Sequence, residues 1–209
     1  MVRIKICGIT NAADALAAVD AGANLLGFNF YEKSARFLTQ SAAAKILAQL
    51  PKNVETVGIF VNKPAADVAA LCRLLRLYAA QLHGDEPPEA VAELGRSVPV
   101  IKAFRVEPDF PLKTLDEYRN VFAFLFDAAY TGQYGGTGRT TDWDVARRAA
   151  KDHRIILAGG LRVENVAAAV RIVRPYGIDV ASGVESKPGK KDHGRLREFI
   201  QEVRRGERK

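Results

Sequence analysis

Eight short runs rich in β-branched and aromatic residues, at positions 3–7, 25–30, 56–61, 78–83, 98–104, 121–127, 154–158 and 178–181, alternate with segments of helical period. After Thr39 the apolar residues recur as Ala43, Ile46, Leu47 and Leu50; after Pro64 as Val68, Leu71, Cys72 and Leu75; near the end as Leu196, Phe199, Ile200 and Val203. Steps of three and four place each set on one face of a helix. Start signals agree, with Asn62 just before Pro64 and Asp142 directly before Trp143. Several strand runs are apolar on both faces, as in a parallel sheet covered by helices. Eight units in 209 residues leave about 26 residues each, the compact end of the range for a barrel. The fold class is therefore read as α/β, a single-domain (β/α)8 TIM barrel over residues 1–209. An open doubly wound sheet is the alternative that counting leaves standing. Pro108 and Pro111 interrupt the helical pattern between the fifth and sixth runs, and the basic end, 204–209, is expected to be disordered.

The net charge of +7 suits anionic substrates. No helical segment combines clustered bases with interleaved aromatics, so a nucleic-acid partner is not expected. The apolar stretches fall far short of the ~20 residues a membrane span needs, and no secretory signal is visible at the N-terminus. Cys7 and Cys72 form neither a CxxC pair nor a disulfide framework, which points to a reducing cytoplasm. No cysteine–histidine spacing supports a metal site. The sequence leaves monomer or homodimer open.

In such a barrel the chemistry sits where strands finish. Cys7 ends the first run and is followed by Gly8, which lets the chain turn and leaves the thiol uncovered; an ordinary buried cysteine is the alternative. Asp127 ends the sixth run after a stretch of apolar residues, where a carboxyl group suits general acid work. Gly159-Gly160 and Ser182-Gly183 follow the last two runs, and together they predict a phosphate site built from backbone N–H groups. Arg36, in the long loop after the second run, is either a solvated charge or a fork for a substrate carboxylate. His83 is either a ligand contact or a satisfied strand-end histidine. Cys72 lies on a helical stripe and reads as packing; His153 and His193 read as surface positions near helix ends. The glycine-rich segment 132–138 completes neither phosphate-loop motif and reads as a mobile cover over a ligand.

Taken in order, Lys5-Ile6-Cys7-Gly8-Ile9-Thr10, Ser34-Ala35-Arg36, Gln81-Leu82-His83-Gly84, Gly135-Gly136-Thr137-Gly138 with Asp142-Trp143, Leu157-Ala158-Gly159-Gly160-Leu161 with Glu164-Asn165-Val166, and Asp179-Val180-Ala181-Ser182-Gly183-Val184-Glu185 closely resemble the motifs of the phosphoribosylanthranilate isomerases. Departures are Ala35 where that family usually has Pro, Arg139-Thr140-Thr141 where it often has Lys-Thr-Phe, and Ala181 where it often has Ser. The resemblance implies an Amadori rearrangement without cofactor in tryptophan biosynthesis. It makes Asp127 the acid and Cys7, as thiolate, the base. Arg36 would hold the anthranilate carboxylate, and Gly159, Gly160, Ser182 and Gly183 the phosphate. His83 and Asp179 count among the substrate-binding positions. A thiol with a free pKa of ~8.5 is partly ionised near neutral pH, and local positive potential would lower it further. Two other readings compete. Indole-glycerol-phosphate synthase chemistry would need a strand-end lysine, for which Lys102 is the candidate. A phosphosugar-binding regulator would need neither Cys7 nor Asp127.

Overall fold

The computed structural model describes residues 1–128 and 142–208. Its elements run β1 (Arg3–Cys7), α1 (Ala12–Asp20), β2 (Leu25–Asn29), α2 (Gln40–Leu47), β3 (Glu55–Phe60), α3 (Ala65–Leu75), β4 (Ala79–Leu82), α4 (Pro88–Leu94), β5 (Val100–Val106), β6 (Val121–Ala128), α5 (Trp143–Ala149), β7 (Ile155–Leu157), α6 (Val163–Val173), β8 (Gly177–Val180), β9 (Glu185–Lys187), β10 (Lys190–Lys191) and α7 (His193–Glu207). Strands β1 to β8 close a barrel in sequence order, and β8 pairs in parallel with β1 through Ile4–Ile178 and Lys5–Asp179. Closure removes the open doubly wound alternative.

The period-two alternation of each strand sorts its side chains between two cores. Leu25, Val57, Ala79, Ile101, Ala103, Ala123, Leu125, Ile156 and Ala158 fill the barrel interior. Ile4, Ile6, Leu26, Phe28, Phe124, Phe126, Ile178 and Val180 instead pack outward under the helices, against residues such as Phe199 and Ile200 of α7. Burying each such large side chain contributes about 1.5–3 kcal/mol. Because Ile4 and Ile6 face out, Arg3, Lys5 and Cys7 share the inner face of β1. Asp127 likewise shares the inner face of β6 with Ala123 and Leu125. The packing pattern thus aims both chemical groups into the barrel.

Helix starts follow local chemistry. Thr39 accepts from Ala42 N at the start of α2, and Asp142 accepts from Asp144 N and Val145 N at the start of α5. Between β5 and β6 only a 3-10 segment, Leu112–Glu117, forms behind Pro111. The prolines that interrupt the helical pattern there leave no room for a full α-helix. Two features differ from expectation. The small antiparallel hairpin β9–β10, turning at Pro188-Gly189 with Gly189 at φ +79°, is absent from the strand pattern of the sequence. The basic end expected to be disordered from residue 204 is helical through Glu207. Arg204 there bonds both Glu207 (3.0 Å) and the Val2 carbonyl (2.8 Å), so the last turn is tied to the N-terminus. The segment 132–138, read as a cover, lies outside the described residues, as do residues 139–141 and Lys209. Among the described residues no helix is long and apolar enough to cross a membrane.

Candidate active site

Cys7 ends β1 and is partly accessible from the barrel mouth. Gly8 follows at φ +74°, and a Cβ added there would lie 2.3 Å from Cδ of Arg36. The glycine therefore does two things: it turns the chain in the left-handed region, and it makes room for Arg36 to lie across the turn. Gly27 on β2 leaves space beside the sulfur, since its Cβ would approach Cys7 Sγ to 3.1 Å. Below the thiol on the same face lies Lys5, 1% exposed, with Nζ 2.9 Å from Asp179 Oδ1.

These neighbours set the thiol's protonation. Burial pushes Cys7 up; Lys5 and Lys191 pull it down, while Asp179 adds to the rise, and the net direction is up. The lowered thiol expected from the sequence is thus corrected: the positive potential is present, but desolvation outweighs it. For Lys5, burial pulls down, yet Asp179 and Cys7 hold its ammonium above the ordinary lysine value. Asp179, expected to contact substrate, has one carboxylate oxygen engaged by Lys5. Sequence reading missed Lys5 because a lone lysine in a strand shows no partner until β8 closes onto β1.

Arg36 also has a partner within the protein. Its Nε donates to Glu185 Oε1 (2.8 Å) and its Nη2 to Glu185 Oε2 (2.6 Å). The paired fork expected for a substrate carboxylate is present, with a protein carboxylate on one edge. Burial pushes Glu185 up, but its bonds to Arg36 and Lys191 hold it below the usual carboxylate range. Lys191, at the end of the hairpin, donates from Nζ to Glu185 Oε1 (2.9 Å), to the Cys7 carbonyl (2.6 Å) and to the Ala181 carbonyl (3.3 Å). Neither Glu185 nor Lys191 received a role from the sequence.

From β6, Asp127 enters the mouth 7% exposed, with Oδ2 3.4 Å from Nε2 of His83. Gln81 Nε2 lies 2.9 Å from His83 Nδ1, and His83 Nε2 faces the Asp127 carboxylate. That nitrogen makes no aligned hydrogen bond among the described residues. Gly84 N donates to Glu86, and Lys102 Nζ binds both Glu86 Oε2 (2.7 Å) and the Gly84 carbonyl (2.8 Å), bracing the turn that follows His83. Lys102 stands between Ile101 and Ala103, which face the interior, so it points outward and offers no lysine to the mouth.

The two glycine pairs meet behind β7 and β8. Gly159 and Gly160 adopt φ of +79° and +62°. A Cβ on Gly183 would sit 2.0 Å from the Leu161 carbonyl oxygen, so the last two loops touch at that point. Asn165 braces them, donating to the Gly160 carbonyl and accepting from Arg162 N, each at 2.9 Å. Ser182 opens a 3-10 turn, Ser182–Val184. Elsewhere, Cys72 is buried on α3 and pushed up to about 11 by burial, in keeping with a packing role. His153 and His193 are not plain surface residues: His153 stacks edge-on against Phe124, and His193 Nε2 lies 2.8 Å from Asp14 Oδ1. Among the described residues, no group of three or more His, Cys, Asp or Glu is arranged to hold a metal ion.

A closed parallel barrel with a thiol and a carboxyl group at its strand ends and a guanidinium on a βα loop defines a (β/α)8-barrel enzyme. The family model of N-(5'-phosphoribosyl)anthranilate (PRA) isomerase matches residues 4–202. This chain belongs to that family. It is 52% identical to an N-(5'-phosphoribosyl)anthranilate isomerase of Pelobacter propionicus over 200 residues, covering 96% of this chain and 94% of the relative. The solved phosphoribosyl anthranilate isomerase of Thermotoga maritima superposes with a TM-score of 0.90 at 40% identity, covering 98% of this chain and 99% of that one. A second solved phosphoribosyl anthranilate isomerase, in complex with reduced 1-(o-carboxyphenylamino)-1-deoxyribulose 5-phosphate, gives a TM-score of 0.87 at 38% identity over 98% of this chain and 99% of that one.

Proposed function

We propose that this barrel mouth converts N-(5-phosphoribosyl)anthranilate to 1-(2-carboxyphenylamino)-1-deoxyribulose 5-phosphate, with Asp127 as general acid and Cys7 as general base. The reaction turns an aminoaldose into an aminoketose by moving protons within one molecule. Asp127 gives a proton to the furanose ring oxygen as the C1′–O bond opens, leaving an iminium ion. Cys7, as thiolate, takes the C2′ proton, and the enolamine tautomerises to the ketone. A moderate base suffices, because the adjacent iminium acidifies that proton. The observation that carries the assignment is the placement of Cys7 and Asp127 on the inner faces of β1 and β6 at one barrel end.

Substrate binding follows the same geometry. The turns at Gly159-Gly160 and Ser182-Gly183 take the 5′-phosphate, and Arg36 takes the carboxylate. Holding both ends places the ribose between acid and base, and such orientation supplies a large share of the barrier reduction. His83, beside Asp127, orients that carboxyl group or meets the substrate next to it. The outward direction of Lys102 leaves the synthase reading without its lysine. One domain, residues 1–209, carries the whole reaction, and two cysteines without a disulfide suit a reducing cytoplasm. The test is complementation of a tryptophan auxotroph that lacks this isomerase, with turnover of freshly generated substrate by the purified chain. Failure of both would reject the assignment.

A further inference from the structure

Among the described residues, Arg36 is held along one edge. A guanidinium has five N–H donors in a fixed plane, and Glu185 takes one from Nε and one from Nη2. Donors on Nη1 and Nη2 remain along the end-on edge, which matches a second carboxylate equally well. The Arg36 side chain is 17% exposed, whereas its partner Glu185 is buried. Its position is fixed from the other side by Gly8, over which it lies.

The charges explain why an arginine already paired to a carboxylate can attract another. Glu185 is buried and shared between two cations, Arg36 and the buried Lys191. The cluster therefore keeps one net positive charge at the rim of the mouth, beside Cys7. Lys191 is in turn fixed by the Cys7 and Ala181 carbonyls and, through its backbone N–H, by Asp14 Oδ2 (2.8 Å). Gly189 N also donates to Glu185 Oε1 (3.3 Å), so two donors of the β9–β10 hairpin, Gly189 N and Lys191 Nζ, hold that one oxygen.

We propose that Glu185 is a positioning residue for substrate specificity: it fixes Arg36 across Gly8 with its end-on edge free for the aryl carboxylate, and Lys191 keeps the assembly cationic. This rests on the assignment of Arg36 as the carboxylate anchor. The hairpin thus sets which aminosugar the barrel accepts, while the glycine turns read only the phosphate. Freezing the fork in advance removes the ordering cost of a long side chain when the ligand arrives.

The test compares two stable ligands, reduced 1-(o-carboxyphenylamino)-1-deoxyribulose 5-phosphate and its counterpart without the carboxyl group, on wild type, Arg36→Ala and Glu185→Gln. Wild type prefers the carboxylated ligand by about tenfold or more, the scale of one charge-assisted pair. Glu185→Gln should lose most of that preference while its affinity for the carboxylate-free ligand stays within about twofold. Retention of the preference in Arg36→Ala would reject the anchor itself. Loss in Arg36→Ala with a wild-type preference in Glu185→Gln would overturn the role of Glu185 alone. An equal drop for both ligands in Glu185→Gln would show a merely structural role and also overturn it. Glu185→Asp, whose carboxylate stands one methylene further back from Arg36, carries the same test if the Gln variant does not fold.

Discussion

The Lys5 ammonium lies 2.9 Å from Asp179 Oδ1, and the two residues face each other in the β1–β8 register, with Lys5 two positions before Cys7 at the strand end. Both are buried, so each needs the other. The pair also sets the electrostatic floor under Cys7, whose thiol is pushed up by burial and drawn back down by Lys5. Lys5→Met should therefore move the pH midpoint of Cys7 alkylation further upward. The lone Asp179 left behind should cost about 3–5 kcal/mol of stability. Lys5→Met with Asp179→Asn should recover much of that stability. An unchanged alkylation profile in Lys5→Met would remove Lys5 from any part in tuning the base.

In the proposed mechanism acid and base act at different steps, so neither would replace the other. Cys7→Ser leaves a hydroxyl too weakly acidic to ionise, and Asp127→Asn leaves an amide with no proton to give. Each should lower kcat by about two or more orders of magnitude with the fold intact, as general acid–base contributions usually do. Steady-state kinetics with circular dichroism checks both points. Near-normal turnover in either variant would withdraw its assigned role.

Gly183 has no room for a side chain, because a Cβ there would meet the Leu161 carbonyl at 2.0 Å. The obstacle is backbone, which cannot rotate away as a flexible side chain would. Gly183→Ala should push the loops after β7 and β8 apart, costing about 1–3 kcal/mol and weakening phosphate binding by roughly tenfold. Calorimetry with inorganic phosphate and thermal melts measure the two effects. Wild-type phosphate affinity in this variant would move the phosphate site away from these loops.

Local periodicity carried the architecture. The eight expected barrel strands match β1–β8 to within a residue or two, since β-branched runs and helical spacing are readable in short windows. Strand ends carried the site in the same way: Cys7, Asp127 and the glycine turns all stand at the rim. What escaped was everything made by closure. Lys5 meets Asp179 only because β8 returns to β1, and Arg36 meets Glu185 across 149 positions of chain. The hairpin strands β9 and β10, of three and two residues, are too short to show any period, although Pro188-Gly189 is a turn signal. The thiol's direction was misread for a related reason, as nearby cations are visible in sequence but depth of burial is not.

Cys72 offers a test of burial without catalysis. Its thiol is 2% exposed on α3 and pushed from the ordinary 9.0 up to about 11 by desolvation. Between those two values the folded protein holds a proton that the unfolded chain has released. Stability must therefore fall as pH rises through this window, by about 2–3 kcal/mol in all, with no contribution below it. Cys72→Ala should be less stable than wild type near neutral pH by about 1 kcal/mol, from lost packing. The gap should shrink and then reverse as pH approaches the upper value. Urea denaturation of both proteins across the alkaline range isolates this term, because Cys7 and the tyrosines titrate alike in the two and cancel in the difference. A gap that stays constant with pH would mean that water reaches Cys72 and that the α3 face is less tightly closed than its packing indicates.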